Sequence, residues 1–467
     1  MDFNQSEESQ SFSLTRFESM LKTNNIFFFD SSEFENIIHH YLEIGKIALA
    51  KKAIKLGLDQ HPSSVNLRLF DIEVLIFENK LNQAEKLLNN LFKFEPNNEE
   101  LYIQKANIFS KRDNHKEAIK VFKEALNISE DSSELHSLIG MEYLFLDNYE
   151  DAKLHFMKCI DLDLEDYSSL YNIIYCFEFL DQTEKAIEYL TWYLDQNPYC
   201  EVAWHQLGKQ YLEINKLEKA LTAFDFAIIS DDTFIGAYFE KAKVLEKLGR
   251  YDESIEQYKL SIAIEGPTAF SYLKIGFCYS KLNNNDEFLK YLFKSVKEDP
   301  AFDRGWIEIA KFYFAKKDNL KALFYVNKAI DIDEQNPKYW LFYSKINKRL
   351  NYYEEAERGF KRTLEYGDNS VEIWIERGDI LIQLGEIEAA KFNFKQALDL
   401  HPKNEELEYR ISGIYFELNK FKKGFKYLLI ALHRNPEYVF IIEELFPNVY
   451  RNKKIIQFIK DYNRSSR

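Results

Sequence analysis

Apolar and polar positions along the chain recur in one frame. Residues 204–227 read WHQLGKQYLEINKLEKALTAFDFA and hold one copy of the pattern. Counted from Glu201, Trp204 is fourth, Leu207 seventh, Gly208 eighth and Tyr211 eleventh. Ala220 is then twentieth, Phe224 twenty-fourth and Ala227 twenty-seventh. Steps of 34 residues from Ala220 reach alanine at nine of twelve positions, the exceptions being Ser254, Phe288 and Gly424. Four of the five tryptophans (Trp204, Trp306, Trp340 and Trp374) share the fourth position. The frame runs from Ser31 to Tyr438 as twelve repeats without an insertion. Each repeat predicts two helices of roughly 14 residues, about 20 Å long at ~1.5 Å per residue.

The residue types at fixed positions have packing reasons. The eighth position is small in nine repeats, among them Gly140, Gly208, Gly276 and Gly378, and lets the first helix lie close to the second. Large residues at positions four, eleven and twenty-four are expected to fill the space between neighbouring repeats. Six of the nine prolines fall at position thirty-two, where a missing N–H and a restricted preceding residue stop the second helix. Phe288 departs at a twentieth position and is expected to splay its helices locally. Asn347 departs at an eleventh and reads as repacking. No repeat can bury its apolar face alone, so stacking is obligatory.

A 34-residue period with this spacing resembles the tetratricopeptide repeat family over 408 of 467 residues, about 87% of the chain. The resemblance implies an all-α, right-handed superhelical solenoid of about twelve helix–turn–helix repeats. Residues 1–30 read as a disordered polar start followed by a capping segment. Within it 12–22 form an amphipathic helix, and Ile26, Phe27, Phe28 and Phe29 lie against the first repeat. Residues 31–438 are the repeats, and 439–467 read as C-terminal capping helices. The family's concave wall is built from first helices, mainly at positions two, five, six, nine, twelve and thirteen.

Charge and composition narrow the function. The net charge is −15. Residues 1–234 hold 22 Lys+Arg against 41 Asp+Glu, a net of −19, and residues 235–467 hold 39 against 35, a net of +4. That balance disfavours a nucleic-acid partner, which needs clustered cations. Asparagine is frequent and reads as compositional bias. The four cysteines form no CxxC pair and imply a reducing compartment. No basic leader and no run near 18 apolar residues is present, so the expected location is cytoplasmic, without membrane insertion.

Phosphate-cradling, zinc-protease and nucleophile-elbow motifs are missing, so no catalytic residue, cofactor or metal ligand is expected. His39 and His40 point about 100° apart on a helix and do not share a metal. The expected function is a non-enzymatic protein-binding adaptor that holds an extended or helical partner segment in its groove. Ninth positions carry Lys209, Lys243, Lys311 and Lys345, with Phe277 between. Beside them lie the fifth-position residues Phe239, Leu273, Ile307 and Leu341. This row suits a partner with acidic and apolar residues. It reads equally as a solvated helix face, since Glu240–Lys243 and Glu308–Lys311 are spaced i,i+3. A second candidate group is Asn107, Tyr171, Asn172 and Tyr175, whose amides and rings suit a peptide backbone. The two-carboxylate clamp of chaperone-binding family members does not carry over, because Ile103 and Leu138 stand where it needs Lys and Asn. The alternative function is a structural subunit that docks into a larger assembly, ribosomal or membrane-associated, through outer faces or termini.

Overall fold

The computed structural model describes residues 2–23, 27–129 and 132–465, with side chains from Phe12 to Arg464 within those ranges. All regular structure among them is helical. The first (A) helix of every repeat starts at position one and spans thirteen residues, from Ser31–Glu43 to Glu405–Glu417. Every second (B) helix starts at position seventeen. The chain forms two compact units, Met1–Ala237 and Tyr238–Arg467. The first carries repeats one to six and the second repeats seven to twelve. Within each unit an A helix packs on its own B helix, and that B helix on the next A helix.

One turn makes each helix pair. The residue at position fifteen has φ between +53° and +78° in all twelve repeats. Five of the twelve are Asn (79, 215, 283, 351 and 419), three are Asp, three are Gly and one is Lys317. Asn, Asp and Gly enter the left-handed region with least strain. The next N–H then donates back to the carbonyl of position eleven at 2.8–3.0 Å, as Lys216 does to Tyr211 and Lys420 to Tyr415. This is the Schellman closure of a helix C-terminus. Asparagine also caps A helices at position thirty-four: Asn98, Asn336 and Asn404 accept from Glu100, Lys338 and Leu407 N–H groups at 3.0–3.1 Å. Its frequency is therefore structural at these positions, not mere compositional bias.

The large side chains divide their work differently from expectation. Position twenty-four packs inside its own repeat. A Cβ added to Gly208 would meet Phe224 at 2.5 Å, and one added to Gly140 would meet Phe156 at 2.8 Å. Position four bridges repeats with a hydrogen bond as well as bulk. Trp204 and Trp306 indole N–H groups donate to the carbonyls of Pro198 and Pro300 at 2.8 and 3.0 Å, and Trp340 donates to Glu334 at 2.7 Å. Tyr102 makes the same bond to Pro96 at 3.2 Å.

In repeat eight Phe288 stands at the usually small twentieth position and Leu292 at the twenty-fourth. A Cβ on Gly276 would sit 3.5 Å from Phe288, an ordinary contact, and Leu292 stays fully buried. The expected splaying is absent: the helices Ala269–Lys281 and Asn285–Glu298 pack as closely as those of repeat six, with the smaller residue at position twenty-four offsetting part of the added ring. Asn347 is buried and donates to the Tyr343 carbonyl at 3.0 Å, while its own Oδ1 has no partner.

Helix Asp2–Thr23 runs through the stretch that composition would leave disordered. Phe17 and Met20 are buried in the first core. Of the aromatic trio that follows, Phe29 is buried and Phe28 is exposed. Ile26 lies outside the described residues. Gln60 pins this segment by accepting from Phe29 N–H at 3.0 Å and donating to the Phe27 carbonyl at 2.9 Å. At the other end Ile441, Ile442, Phe446 and Ile455 join the core of the last repeats. Phe446 covers Gly413, and Phe458 lies 4.9 Å from Phe425. All four cysteines are free and buried.

Tertiary packing also pairs two histidines. His136 and His155 approach Nδ1 to Nδ1 at 2.9 Å, and Tyr143 stacks on His155 at 5.6 Å. Burial, then the charges of His136 and Lys123, push His155 down to about 4 against the opposing pull of Asp151.

Lys317 (φ +62°) has a Cβ in the left-handed region, which costs ~1–2 kcal/mol outside Gly, Asn and Asp. Lys317→Asn should raise the urea midpoint by the equivalent of about 1 kcal/mol, and Asn351→Val should lower it by about as much. His155 is neutral when folded and protonates near pH 6.5 when unfolded. Its contribution is complete above pH 6.5 and is lost as pH falls from 6.5 through about 4. Urea midpoints measured across that range should fall less steeply for His155→Gln than for the natural chain.

Candidate protein-binding surface

In the N-terminal unit the A helices of repeats four (Ser133–Phe145), five (Tyr167–Phe179) and six (Glu201–Glu213) line one cavity of about 580 Å³. Repeat five supplies Tyr171, Asn172, Tyr175 and Glu178, and repeat six supplies Gln206 and Lys209. Repeat four adds Leu144 and Phe145 from its A helix, and Asp147 and Tyr149 from its turn and B helix. Three of the four residues in the second candidate group thus meet Lys209 from the first. Asn107 is not in the lining.

The local sequence explains the aromatic wall. Tyr171, Tyr175 and Phe179 are spaced i,i+4 and share one helix face. Tyr175 and Phe179 rings lie 4.6 Å apart, and Tyr149 stacks on Phe179 at 4.7 Å and 18°. Yet Tyr171 and Tyr175 remain 42% and 43% exposed, too open for core residues of a closed helix pair. Behind them Gln206 is 4% exposed and its Oε1 has no hydrogen-bond partner. Glu178 accepts from Gln210 Nε2 at 3.0 Å, and Asp147 accepts from the Tyr149 hydroxyl at 3.1 Å. Burial raises Tyr171 above the usual phenol range, against the opposing pull of a hydrogen bond with the Gln206 side chain.

A second cavity of about 620 Å³ is lined from repeats one to three by Glu35, Glu43, Glu73 and Glu100, with His39 and Gln104. Burial raises both Glu73 and Glu100; the Glu100 charge adds to the rise at Glu73, and Glu134 and Glu99 add to it at Glu100 against the Gln104 hydrogen bond. Gln104 Nε2 donates to Glu100 at 2.7 Å.

The C-terminal unit holds the rest of the first candidate row. Leu273 and Ile307 are buried in cores, and Leu341 packs partly buried against Phe360 and its neighbours. Phe239 meets Tyr258 and Phe270 at 5.5 and 6.2 Å, and Phe277 meets Phe288 at 6.2 Å. These apolar residues support helix packing. Lys243 pairs with Glu240 at 2.6 Å and Lys311 with Glu308 at 2.7 Å. Lys345 is exposed. Arg349, on the same helix, lies 3.7 Å over the Phe314 ring.

The repeat frame has independent matches. Tetratricopeptide repeat models match residues 235–266, 303–336 and 371–404, the last two being whole repeats nine and eleven in the frame above. The chain is a tetratricopeptide-repeat protein. Within it, residues 72–197 match the second ARM domain of tetratricopeptide repeat protein 21. Anaphase-promoting complex subunit 3 of Schizosaccharomyces pombe is 24% identical over 242 residues, 50% of this chain and 36% of that one. BBSome complex member BBS4 of Bos taurus is 25% identical over 169 residues, 35% of this chain and 32% of that one. The chain spans about a third of the length of these curated relatives. Among solved structures, the C-terminal part of a TPR repeat-containing protein from Cytophaga hutchinsonii is 16% identical, with a TM-score of 0.42. It covers 51% of this chain and 97% of that one. The APC/C hetero-tetramer Cut9–Hcn1 is 15% identical, with a TM-score of 0.35, and covers 87% of this chain and 94% of that one.

In this tetratricopeptide-repeat protein, position numbering alone omits Asp147 and Tyr149, because the turn and B helix reach the cavity only after folding. Phe145, Phe179, Glu178 and Gln206 were accessible to sequence reasoning, since they sit at inner positions thirteen, thirteen, twelve and six. Among the described residues no helix is long and apolar enough to cross a membrane.

A buried acceptor without a donor costs about 1–3 kcal/mol. Gln206→Leu should therefore raise the thermal stability of the free protein, by the equivalent of about 1 kcal/mol in a calorimetric melt. A neutral or destabilising result would show that Oε1 is satisfied.

Proposed function

We propose that this chain is a non-enzymatic scaffold that holds a segment of a partner protein on its A-helix face, with the cavity of repeats four to six as its main contact. The observation that carries this reading is the exposed aromatic wall of Tyr171, Tyr175 and Phe145, with Phe179 packed beside Tyr175, around a cavity with an unpartnered amide oxygen. A monomer gains nothing from leaving such rings in water, and a partner's side chain would bury them at roughly 25 cal/mol per Å². Two relatives are by name members of multi-protein complexes, which agrees with a scaffold. In the C-terminal unit, Lys243, Lys311 and Lys345 extend the reading to acidic residues of a partner. Exposed ion pairs there contribute only ~0–1 kcal/mol each.

A second reading has its own observation. On the B helices Trp192, Phe226 and Ile229 are also exposed, and they would serve docking into a larger assembly by the opposite surface. Photo-crosslinking amino acids placed at Tyr171 and at Trp192 separate the two. The groove reading expects a discrete adduct in the source cells from position 171 and none from 192. The reverse pattern would replace it with the assembly reading.

A further inference from the structure

We infer that the cavity of repeats four to six is a receptor for an arginine side chain of the partner segment. This rests on the reading that a partner occupies the cavity, and it names the chemistry that the cavity selects. Three independent features meet there. The exposed rings of Tyr171 and Tyr175 offer the π faces on which a planar guanidinium stacks. Two carboxylates, Asp147 and Glu178, stand in the same lining. Each accepts one internal hydrogen bond, and a carboxylate has further acceptor sites to offer. Gln206 Oε1 is buried and has no hydrogen-bond partner, and its amide lies beside the Tyr171 hydroxyl at the cavity wall.

An acidic side chain answers none of these. It is repelled by the carboxylates, gains no ring contact of this kind and brings no donor to Gln206. A lysine brings charge, but it lacks the planar face and the five-donor fork. The wider surface agrees. Inner positions of repeats one to six carry Glu35, Glu43, Glu73, Glu100, Glu134 and Glu213 besides Glu178. The acidic cavity of repeats one to three lies in the same compact unit. A segment that places an arginine in the aromatic cavity and has further basic residues along its length matches this charge distribution. Lys209 is the one cation in the cavity lining, and the inference gives it a sign: it opposes the ligand.

The test uses the full chain and a fluorescein-labelled peptide, Gly-Leu-Ser-Arg-Leu-Ser-Gly amide. Matched peptides carry citrulline, lysine or glutamate in place of the arginine. Binding is read by anisotropy at low salt, and occupancy of the cavity by crosslinking from a photo-reactive residue at position 172, in the cavity lining. The arginine peptide should bind at least fivefold more tightly than the citrulline and glutamate peptides, and more tightly than the lysine peptide. Glu178→Gln and Tyr171→Ala should each weaken it severalfold, and Lys209→Ala should tighten it. Circular dichroism melts confirm that each variant is folded. Equal binding of the citrulline peptide, or weakening by Lys209→Ala, overturns the inference. So does failure of every peptide to bind, or self-association abolished by Tyr171→Ala, which would assign the cavity to a second copy. Tighter binding of the glutamate peptide, with its adduct at position 172, overturns the arginine assignment alone and leaves the scaffold reading standing. Loss of the cell adduct from position 171 removes the scaffold reading itself.

Discussion

The left-handed residue at position fifteen is the constraint from which the rest of the architecture follows. It turns the A helix back into the B helix and lets the sixteenth N–H close on the eleventh carbonyl. With that closure in all twelve repeats, the two helices meet with the same neighbours each time. Position eight then has to be small where Phe stands at twenty-four, and an indole at four can reach the carbonyl of the preceding loop. These are local consequences of one backbone geometry, repeated without a change of phase.

Because a few positions settle how the helices pair, the other A-helix positions can vary in composition. Their composition differs between the two units. In the N-terminal unit they carry carboxylates, amides and exposed rings around two cavities. In the C-terminal unit lysines already pair with glutamates on their own helices, and the apolar neighbours are committed to the cores. Desolvation separates the two surfaces. A ring or amide left open gains by binding, whereas a lysine already held at 2.6–2.7 Å by a glutamate must exchange one partner for another.

The terminal segments show how the same rule ends a repeat array. The exposed face of the first repeat is covered by Phe17 and Phe29, and that of the last by Phe446 and Phe458. Each cap supplies the apolar surface that a missing neighbour would have given.

By itself, the sequence determined the period, the start of every A helix, the small eighth and twentieth positions and the site of the proline stops. These are set by local propensity and by side-chain volume at fixed spacing, and both can be read along a line. It also held the left-handed Asn and Asp residues in plain view, though their role is legible only as a column across repeats and not as an amino-acid frequency. Tertiary structure decided which inner residues line an open cavity. Phe239, Leu273 and Ile307 follow the same pattern as exposed groove residues, yet neighbouring helices bury or cover them. Asp147 and Tyr149 belong to a turn and a B helix, yet they complete the cavity of repeats four to six. Exposure and convergence depend on what the adjacent repeat places opposite, and a position in a repeat does not contain that information.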